Sequence, residues 1–236
     1  DKTRKSTRNS EERKWVISLF YPAADHNEKS PYLPGTITDG FIQGTQVLAH
    51  VKLNANPTET HKKFPVIIFI PGRGELRQKY TILCAHLASH GYVVITMDQP
   101  YVASFVKFAN GETNVLTFKD AWNLPRDRDY RYAYDDLVIK NAISDIDYVL
   151  NHPGILGSFR EICDFNKVVL MGHSLGGNVA HIMGFRDQRI RAVVDIDSKI
   201  TERSVYGKIG IPDNKIGVPI LFIRGMMQYQ EDVGNS

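Results

Sequence analysis

The sequence predicts an α/β fold: a mostly parallel β-sheet with helices on both faces. From residue 64 onward, short continuous apolar runs alternate with amphipathic segments, the order expected of β-α units in a parallel sheet. Before residue 64, two apolar runs have no helix between them, which favours antiparallel strands. The chain of 236 residues has no internal repeat or low-complexity linker, so we expect one domain over residues 1–236.

Each element is predicted from its own pattern. The run 64–70 is continuously apolar, as in a strand buried on both faces. Gly91 is a natural stop for the helix before it, and 134–150 places its apolar residues on roughly one face. The two N-terminal strands, 15–21 and 46–51, would form an antiparallel edge on the parallel sheet. The parallel strands are predicted at 64–70, 92–97, 168–171, 190–196 and 218–223, and the helices at 76–90, 134–150 and 175–185.

Two segments lack clear periodicity. Residues 1–13 are rich in charge, and we expect a flexible N-terminal tail. Residues 98–132 are long, aromatic and charged, and loops of this length are usually functional or mobile. We expect this segment to overhang the active site, with a plain surface excursion as the alternative.

Composition excludes several classes of function. A net charge of +3, with no basic block interleaved with aromatic residues, argues against a nucleic-acid partner. No apolar run reaches the roughly 18 residues of a membrane span. Cys84 and Cys163 form no metal-ligand spacing and neither require nor exclude a disulfide. We expect no metal and no cofactor. The compartment stays open, with a secreted or periplasmic location slightly favoured, and the oligomeric state is undetermined.

The strongest motif is GHSLG at residues 172–176, between a predicted buried strand and a predicted helix. This is the context of a nucleophile elbow, a sharp turn that projects a serine hydroxyl from the edge of the sheet. Glycines two residues either side of Ser174 let backbone approach closely, and the helix N-terminus offers N–H groups to a developing oxyanion. The alternative is a tight turn with an incidental serine.

An oxyanion hole needs a second donor from an earlier loop. The break at 71–74, directly after the first buried strand, supplies a suitable loop. We therefore predict the backbone N–H groups of Leu175 and Arg73 as the two donors. The alternative for this loop alone is a simple glycine turn.

The acid is predicted to be Asp197. In most sites built on a nucleophile elbow, the acid follows the second strand after the nucleophile. Here that strand is predicted at 218–223, but residues 224–230 contain no carboxylate. The strand directly after the elbow helix instead ends with Asp195 and Asp197. Strand alternation puts both carboxylates on the same side, so either could serve. We prefer Asp197, because it lies nearer the carboxyl edge, where α/β active sites form, and Asp195 is expected to be a buried structural partner.

The general base is missing from the expected position. The triad order is serine, acid, histidine, but none of the eight histidines follows Asp197. The His173 side chain should point into the structure, and His181 should be a packed helix residue. We expect that a C-terminal segment bearing the histidine is absent from this sequence; a degenerate, non-catalytic relative is the alternative. The histidines are His26, His50, His61, His86, His90, His152, His173 and His181.

Several segments together resemble the platelet-activating-factor acetylhydrolase family, serine esterases of the α/β-hydrolase fold. The likeness covers most of residues 15–230 and includes the 23-residue spacing from Ser174 to Asp197. It implies Ser174 as nucleophile, Asp197 as acid, and the Leu175 and Arg73 amides as oxyanion donors, with no metal. The family commonly has an apolar residue at position 73, a change that a backbone donor tolerates. The resembling stretches are 19–22, 69–74, 87–94, 172–177, 187–191 and 221–223.

The resemblance implies hydrolysis of short or oxidised sn-2 acyl groups of phospholipids through an acyl-enzyme, with peripheral contact to a lipid surface. A small-molecule or lipid ester is the expected substrate. The alternatives are a general carboxylesterase, a dienelactone- or polyester-type hydrolase, or a non-catalytic relative, because a shared fold does not fix the substrate.

Overall fold

The computed structural model describes residues 13–24, 30–31, 48–100, 102–115, 128–198 and 217–225. Its strands are β1 (Val16–Phe20), β2 (Ser30–Pro31), β3 (Leu48–Ala49), β4 (Phe64–Ile70), β5 (Val93–Asp98), β6 (Phe105–Lys107), β7 (Thr113–Val115), β8 (Cys163–His173), β9 (Ile190–Ile196) and β10 (Ile220–Ile223). Its α-helices are α1 (Thr81–Ser89), α2 (Arg128–Asn151) and α3 (Leu175–Arg186), and 3₁₀ turns cover Arg77–Tyr80 and Pro153–Ile162.

The main sheet has six strands in the order β1-β5-β4-β8-β9-β10. β1 pairs antiparallel with β5, and every other neighbouring pair is parallel. The predicted mostly parallel sheet with an antiparallel N-terminal strand is therefore confirmed. Because the parallel strands share a direction, the carboxyl ends of β4, β8, β9 and β10 meet at one edge of the sheet.

The helices cover both faces of the sheet, as predicted. Alternate residues of β4 point to opposite sides: Val66, Ile68 and Ile70 pack in the large cluster that includes α2 and α3. Ile67 and Phe69 face the smaller cluster around α1. Apolar side chains on both faces of the central strands explain their continuous hydrophobic runs.

The prediction that the second N-terminal strand joins the edge of the main sheet was wrong. β3 pairs with β2 in a separate two-stranded sheet and does not extend the main sheet. An apolar run indicates a strand but not its partner, and β1 already covers the open side of β5. Several bounds also differ. β8 begins at Cys163 and α2 at Arg128, both earlier than their apolar patterns indicated, and the helix predicted at 76–90 is a 3₁₀ turn up to Tyr80 followed by α1.

The predicted active-site segment 98–132 contains the hairpin β6–β7. Its first part reaches the loop after β4, because the Gly74 N–H donates to the Val102 carbonyl at 2.7 Å. Ala103 and Val106 pack with Leu76 in a small buried cluster. Residues 116–127 lie outside the described residues, so the expected overhang stays a prediction.

Both cysteines are free and buried, so they form no disulfide. Burial raises the pKa of Cys84 to about 12 and that of Cys163 to about 11. Both thiols therefore stay protonated at neutral pH. Within the described ranges, no helix has the length and apolar character needed to cross a membrane, and no cluster of three or more His, Cys, Asp or Glu side chains could hold a metal ion.

A buried ion pair ties the chain before β1 to the middle of α2. The guanidinium of Arg13, 2% exposed, donates to both carboxylate oxygens of Asp145 at 2.7 and 2.6 Å. The Gln99 amide donates to the same carboxylate at 2.7 Å. Residues 1–12 of the predicted tail lie outside the described residues, and Arg13, its last residue, is part of the packed structure.

Replacing Arg13 with Met should lower the free energy of unfolding by about 3 kcal/mol, because it removes a guanidinium that donates twice to a buried carboxylate. Lys14→Ala is the matched control: its ion pair with Glu112 joins side chains that are 50% and 56% exposed, and such pairs contribute at most about 1 kcal/mol. Urea unfolding measures both variants. Equal midpoints for the two would contradict the structural role of Arg13.

Candidate active site

Ser174 lies between β8 and α3 in a conformation that non-glycine residues rarely adopt. Its backbone angles are φ 52° and ψ −118°. A strained residue of this kind persists only where its surroundings fix it. Here the Ser174 N–H donates to the Ile196 carbonyl at 2.8 Å, and the Ser174 carbonyl accepts from Gly177 and Asn178 at 3.0 and 3.3 Å. The motif therefore forms the sharp strand–helix turn that the sequence predicted.

The motif glycines are required by close backbone contacts. A Cβ atom on Gly172 would lie 2.1 Å from the Gly176 carbonyl oxygen. A Cβ on Gly176 would lie 2.0 Å from the carbonyl oxygen of Ile70, the last residue of β4. Any side chain at either position would therefore force the elbow apart from its neighbours.

The loop after β4 lies directly against the elbow. A Cβ on Gly72 would be 3.3 Å from the Ser174 Cβ and 2.9 Å from the His173 Nδ1. Gly74, with φ 74°, bonds to Val102, and the Glu75 N–H donates to the Gly72 carbonyl at 3.1 Å. The structure thus brings the segment that carries Arg73 beside Ser174, while Leu175 begins α3 on the other side. The N–H groups at the start of a helix carry a partial positive charge suited to an oxyanion.

Asp197 follows β9, the strand next to β8. His173 and Ile196 are paired in register, so Ser174 and Asp197 each come one residue after paired strand ends. Asp197 also has a positive φ, 55°, and its N–H donates to the Ile223 carbonyl at 2.8 Å. Its carboxylate accepts the Gly225 N–H at 2.8 Å, so the segment after β10 holds the side chain at the carboxyl edge of the sheet.

Asp195 has the structural position expected from the sequence. It is fully buried, and its carboxylate accepts the Ser198 hydroxyl at 2.6 Å and the Ser198 N–H at 3.2 Å. A Cβ on Gly177 would lie 2.7 Å from this carboxylate, so Asp195 also packs against the start of α3. It closes the turn that carries Asp197.

The described histidines do not supply an evident base. His173 is half-buried, and its Nδ1 is 2.8 Å from the Tyr80 hydroxyl, so that nitrogen already has a partner within the structure. His181 is buried, stacks on Phe185, and has Nδ1 3.9 Å from the Asp195 carboxylate. Burial lowers the pKa of His181, with the carboxylate opposing that shift. The other described histidines are exposed: His50, His61, His86, His90 and His152.

Two features near the site had no clear signal in the sequence. Tyr80 falls within the predicted helix 76–90 with no sign of a role at the site, yet its hydroxyl contacts the residue next to the candidate nucleophile. Arg77 donates its N–H to the Asp98 carboxylate at 2.6 Å, and its guanidinium forms an ion pair with the same group. Burial raises the pKa of Asp98, and the Arg77 charge opposes that shift. Only the position of Asp98 after a buried strand could have pointed to this pair.

Gly176→Ala should destabilise the protein by about 2–3 kcal/mol, because the new methyl group meets the backbone of β4 and not a flexible side chain. Gly154→Ala is the control, since a Cβ there meets nothing within 4 Å; it should change stability by no more than about 0.5 kcal/mol. Chemical denaturation checks both. A Gly176→Ala protein as stable as the control would contradict the close contact between β4 and α3.

Comparison with known proteins shows which families and structures the chain is similar to. Residues 5–113 match the model of the family described as platelet-activating factor acetylhydrolase, isoform II. A probable 1-alkyl-2-acetylglycerophosphocholine esterase of Arthroderma benhamiae is 25% identical over 238 residues, covering 89% of this chain and 57% of its own length. The platelet-activating factor acetylhydrolase of Canis lupus familiaris is 24% identical, covering 78% of this chain and 46% of its own length.

Among solved structures, a ferulic acid esterase from Streptomyces cinnamoneus matches with a TM-score of 0.76 and 24% identity, over 99% of this chain and 66% of its own. At that identity the likeness shows the fold. The chain spans about half the length of the curated relatives it matches. The chain is therefore similar to platelet-activating factor acetylhydrolases over part of their length, and it has the α/β-hydrolase fold.

Proposed function

We propose that this protein is a serine ester hydrolase that acts through an acyl-enzyme on Ser174. The observation that carries the proposal is the strained backbone of Ser174 at the N-terminus of α3, beside the loop after β4. Strain of this kind costs about 1–3 kcal/mol and is concentrated at functional sites. A turn with an incidental serine would have no need to keep it.

The arrangement supports the following reaction. The Ser174 Oγ forms a bond to the ester carbonyl carbon, its proton passes to a histidine, and the carbonyl electron pair moves onto oxygen. The Leu175 and Arg73 amides stabilise that oxyanion. The intermediate expels the alcohol, which takes the proton from the histidine, and water then releases the acid from Ser174. Asp197 orients the histidine and stabilises its charged form.

The histidine is proposed to follow Asp197 in the complete protein. Ser174 and Asp197 occupy neighbouring strand ends, and in this fold the base follows the acid along the chain. No described histidine makes a hydrogen bond to Ser174 or Asp197, and the matched relatives are considerably longer than the aligned stretch. Both facts support a base contributed by further sequence.

The proposed substrates are phospholipids with a short or oxidised sn-2 acyl group. The family model and the names of the curated relatives, an esterase and an acetylhydrolase, support this class. Such lipids reside in surfaces and aggregates, so the proposal includes peripheral contact with a lipid surface. No metal or cofactor takes part in the proposed reaction.

Ser174→Ala should abolish ester hydrolysis and labelling by a fluorophosphonate probe, because the only group that forms the covalent bond is removed. The kcat for ester hydrolysis should fall by about 10⁶-fold, as for other serine hydrolases that lose the nucleophile. The assay uses the complete protein with an sn-2 acetyl phospholipid and a p-nitrophenyl ester in parallel.

Ser158→Ala, on an exposed residue, is the matched control and should retain full labelling. Labelling that survives Ser174→Ala would contradict the proposal. A strong preference for the simple ester over the phospholipid would instead identify a general carboxylesterase.

Asp197→Asn should lower kcat by about 10⁴-fold, because an amide cannot stabilise the imidazolium or fix the histidine in the required tautomer. Asparagine keeps an oxygen that accepts the Gly225 N–H, so the fold should be retained. Asp164→Asn, at the opposite end of β8, is the control and should leave kcat unchanged. If both variants had wild-type kcat, Asp197 would not be the acid.

A further inference from the structure

We propose that Tyr80 is a positioning residue for the oxyanion hole, acting through its hydrogen bond to His173. The inference rests on the proposed function, because it concerns how the two donors of that site are held together. It assigns to the Tyr80 hydroxyl a part in setting the rate of the reaction, exerted through His173.

The two candidate donors come from different segments of the chain. Leu175 follows β8 and begins α3, whereas Arg73 lies in the loop after β4. A carbonyl oxygen benefits from both only when the two N–H groups converge on one point, and a shift of about 1 Å can cost 100-fold in rate. Some contact must therefore fix the loop relative to the elbow.

The Tyr80 side chain makes that contact. Its hydroxyl oxygen is 2.8 Å from His173 Nδ1, and His173 is the residue directly before Ser174. The same nitrogen lies 2.9 Å from the position that a Cβ on Gly72 would occupy. Gly72 directly precedes Arg73. The hydroxyl, the imidazole and the start of the loop thus meet at one point beside Ser174.

Tyr80 is itself well anchored. Its ring packs on Phe69 of β4, with ring centroids 4.4 Å apart. The 3₁₀ turn that ends at Tyr80 begins at Arg77, which bonds to the buried Asp98 through both its N–H and its guanidinium, and to Ser18 Oγ at 2.8 Å. Both the ring and the backbone of Tyr80 are therefore fixed to the sheet. Its hydroxyl can hold His173 in place because it cannot easily follow a movement of that ring.

The decisive variant is Tyr80→Phe, which keeps the ring packing on Phe69 and removes only the hydroxyl. In the complete protein, kcat for ester hydrolysis should fall about 10- to 100-fold, less than the loss of a whole oxyanion donor, while KM changes less than about 3-fold. A trifluoromethyl ketone, which forms an oxyanion adduct with the serine, should bind more weakly by the same factor as kcat/KM falls.

Titration with a fluorophosphonate should still label one site per chain. This result would show that every active site is intact but slower, and that the lower rate does not come from a smaller number of intact sites. Tyr92→Phe is the matched control, because the Tyr92 hydroxyl makes no hydrogen bond with the described part of the chain. It should match the wild type in kcat and in inhibitor affinity.

A second pair of variants tests the same contact from the other side. His173→Asn keeps a polar atom near the position of Nδ1, whereas His173→Leu removes it. The Asn variant should be at least about 10-fold faster than the Leu variant, and adding Tyr80→Phe to His173→Leu should cause no further loss. This pair decides the question if Tyr80→Phe fails to fold.

The inference is overturned if Tyr80→Phe keeps kcat within twofold of wild type, or if it loses labelled sites while inhibitor affinity is unchanged. Equal rates for His173→Asn and His173→Leu would also overturn it. An inactive wild-type protein would contradict the proposed function, and with it the inference. An active wild-type enzyme with an unaffected Tyr80→Phe variant would contradict the inference alone.

Discussion

The site depends on one close backbone approach, between the carbonyl of Ile70 at the end of β4 and Gly176 in the first turn of α3. No side chain fits between them. This approach lets α3 begin directly above the sheet edge, so the chain must turn sharply between β8 and α3. That sharp turn places Ser174 in the left-handed region and points the N-terminus of α3 at the same edge.

The other parts of the site follow from the parallel sheet. Four neighbouring strands end at one edge, and each contributes a component: Gly72 after β4, Ser174 after β8, Asp197 after β9, and the Gly225 N–H after β10. Backbone hydrogen bonds connect them, since Ser174 bonds to Ile196 and Asp197 to Ile223. Two side-chain contacts add to this arrangement: Asp195 closes the turn of Asp197, and the Tyr80 hydroxyl contacts His173, the residue before Ser174.

The parts that the sequence predicted are those with local causes. Continuous apolar runs identified β4, β5 and β9, and the glycine spacing around Ser174 identified the elbow. In both cases the structural requirement, burial of a strand or close backbone approach, determines which residue type can stand at each position. Strand geometry alone indicated that Asp197 lies nearer the carboxyl edge of the sheet than Asp195. The β3 pairing was missed, since an apolar run does not reveal its partner. The Arg13–Asp145 and Tyr80–His173 contacts join residues 132 and 93 positions apart, and no local pattern encodes such pairings.

The most direct test of the account is to locate the covalent bond. Tryptic cleavage after Lys167 and Arg186 gives the peptide 168–186, in which Ser174 is the only residue with a hydroxyl group. After treatment of the complete protein with a fluorophosphonate, mass spectrometry should find one adduct on this peptide, and fragmentation should place it on Ser174. An adduct on any other peptide, with 168–186 unmodified, would contradict the assignment of the nucleophile.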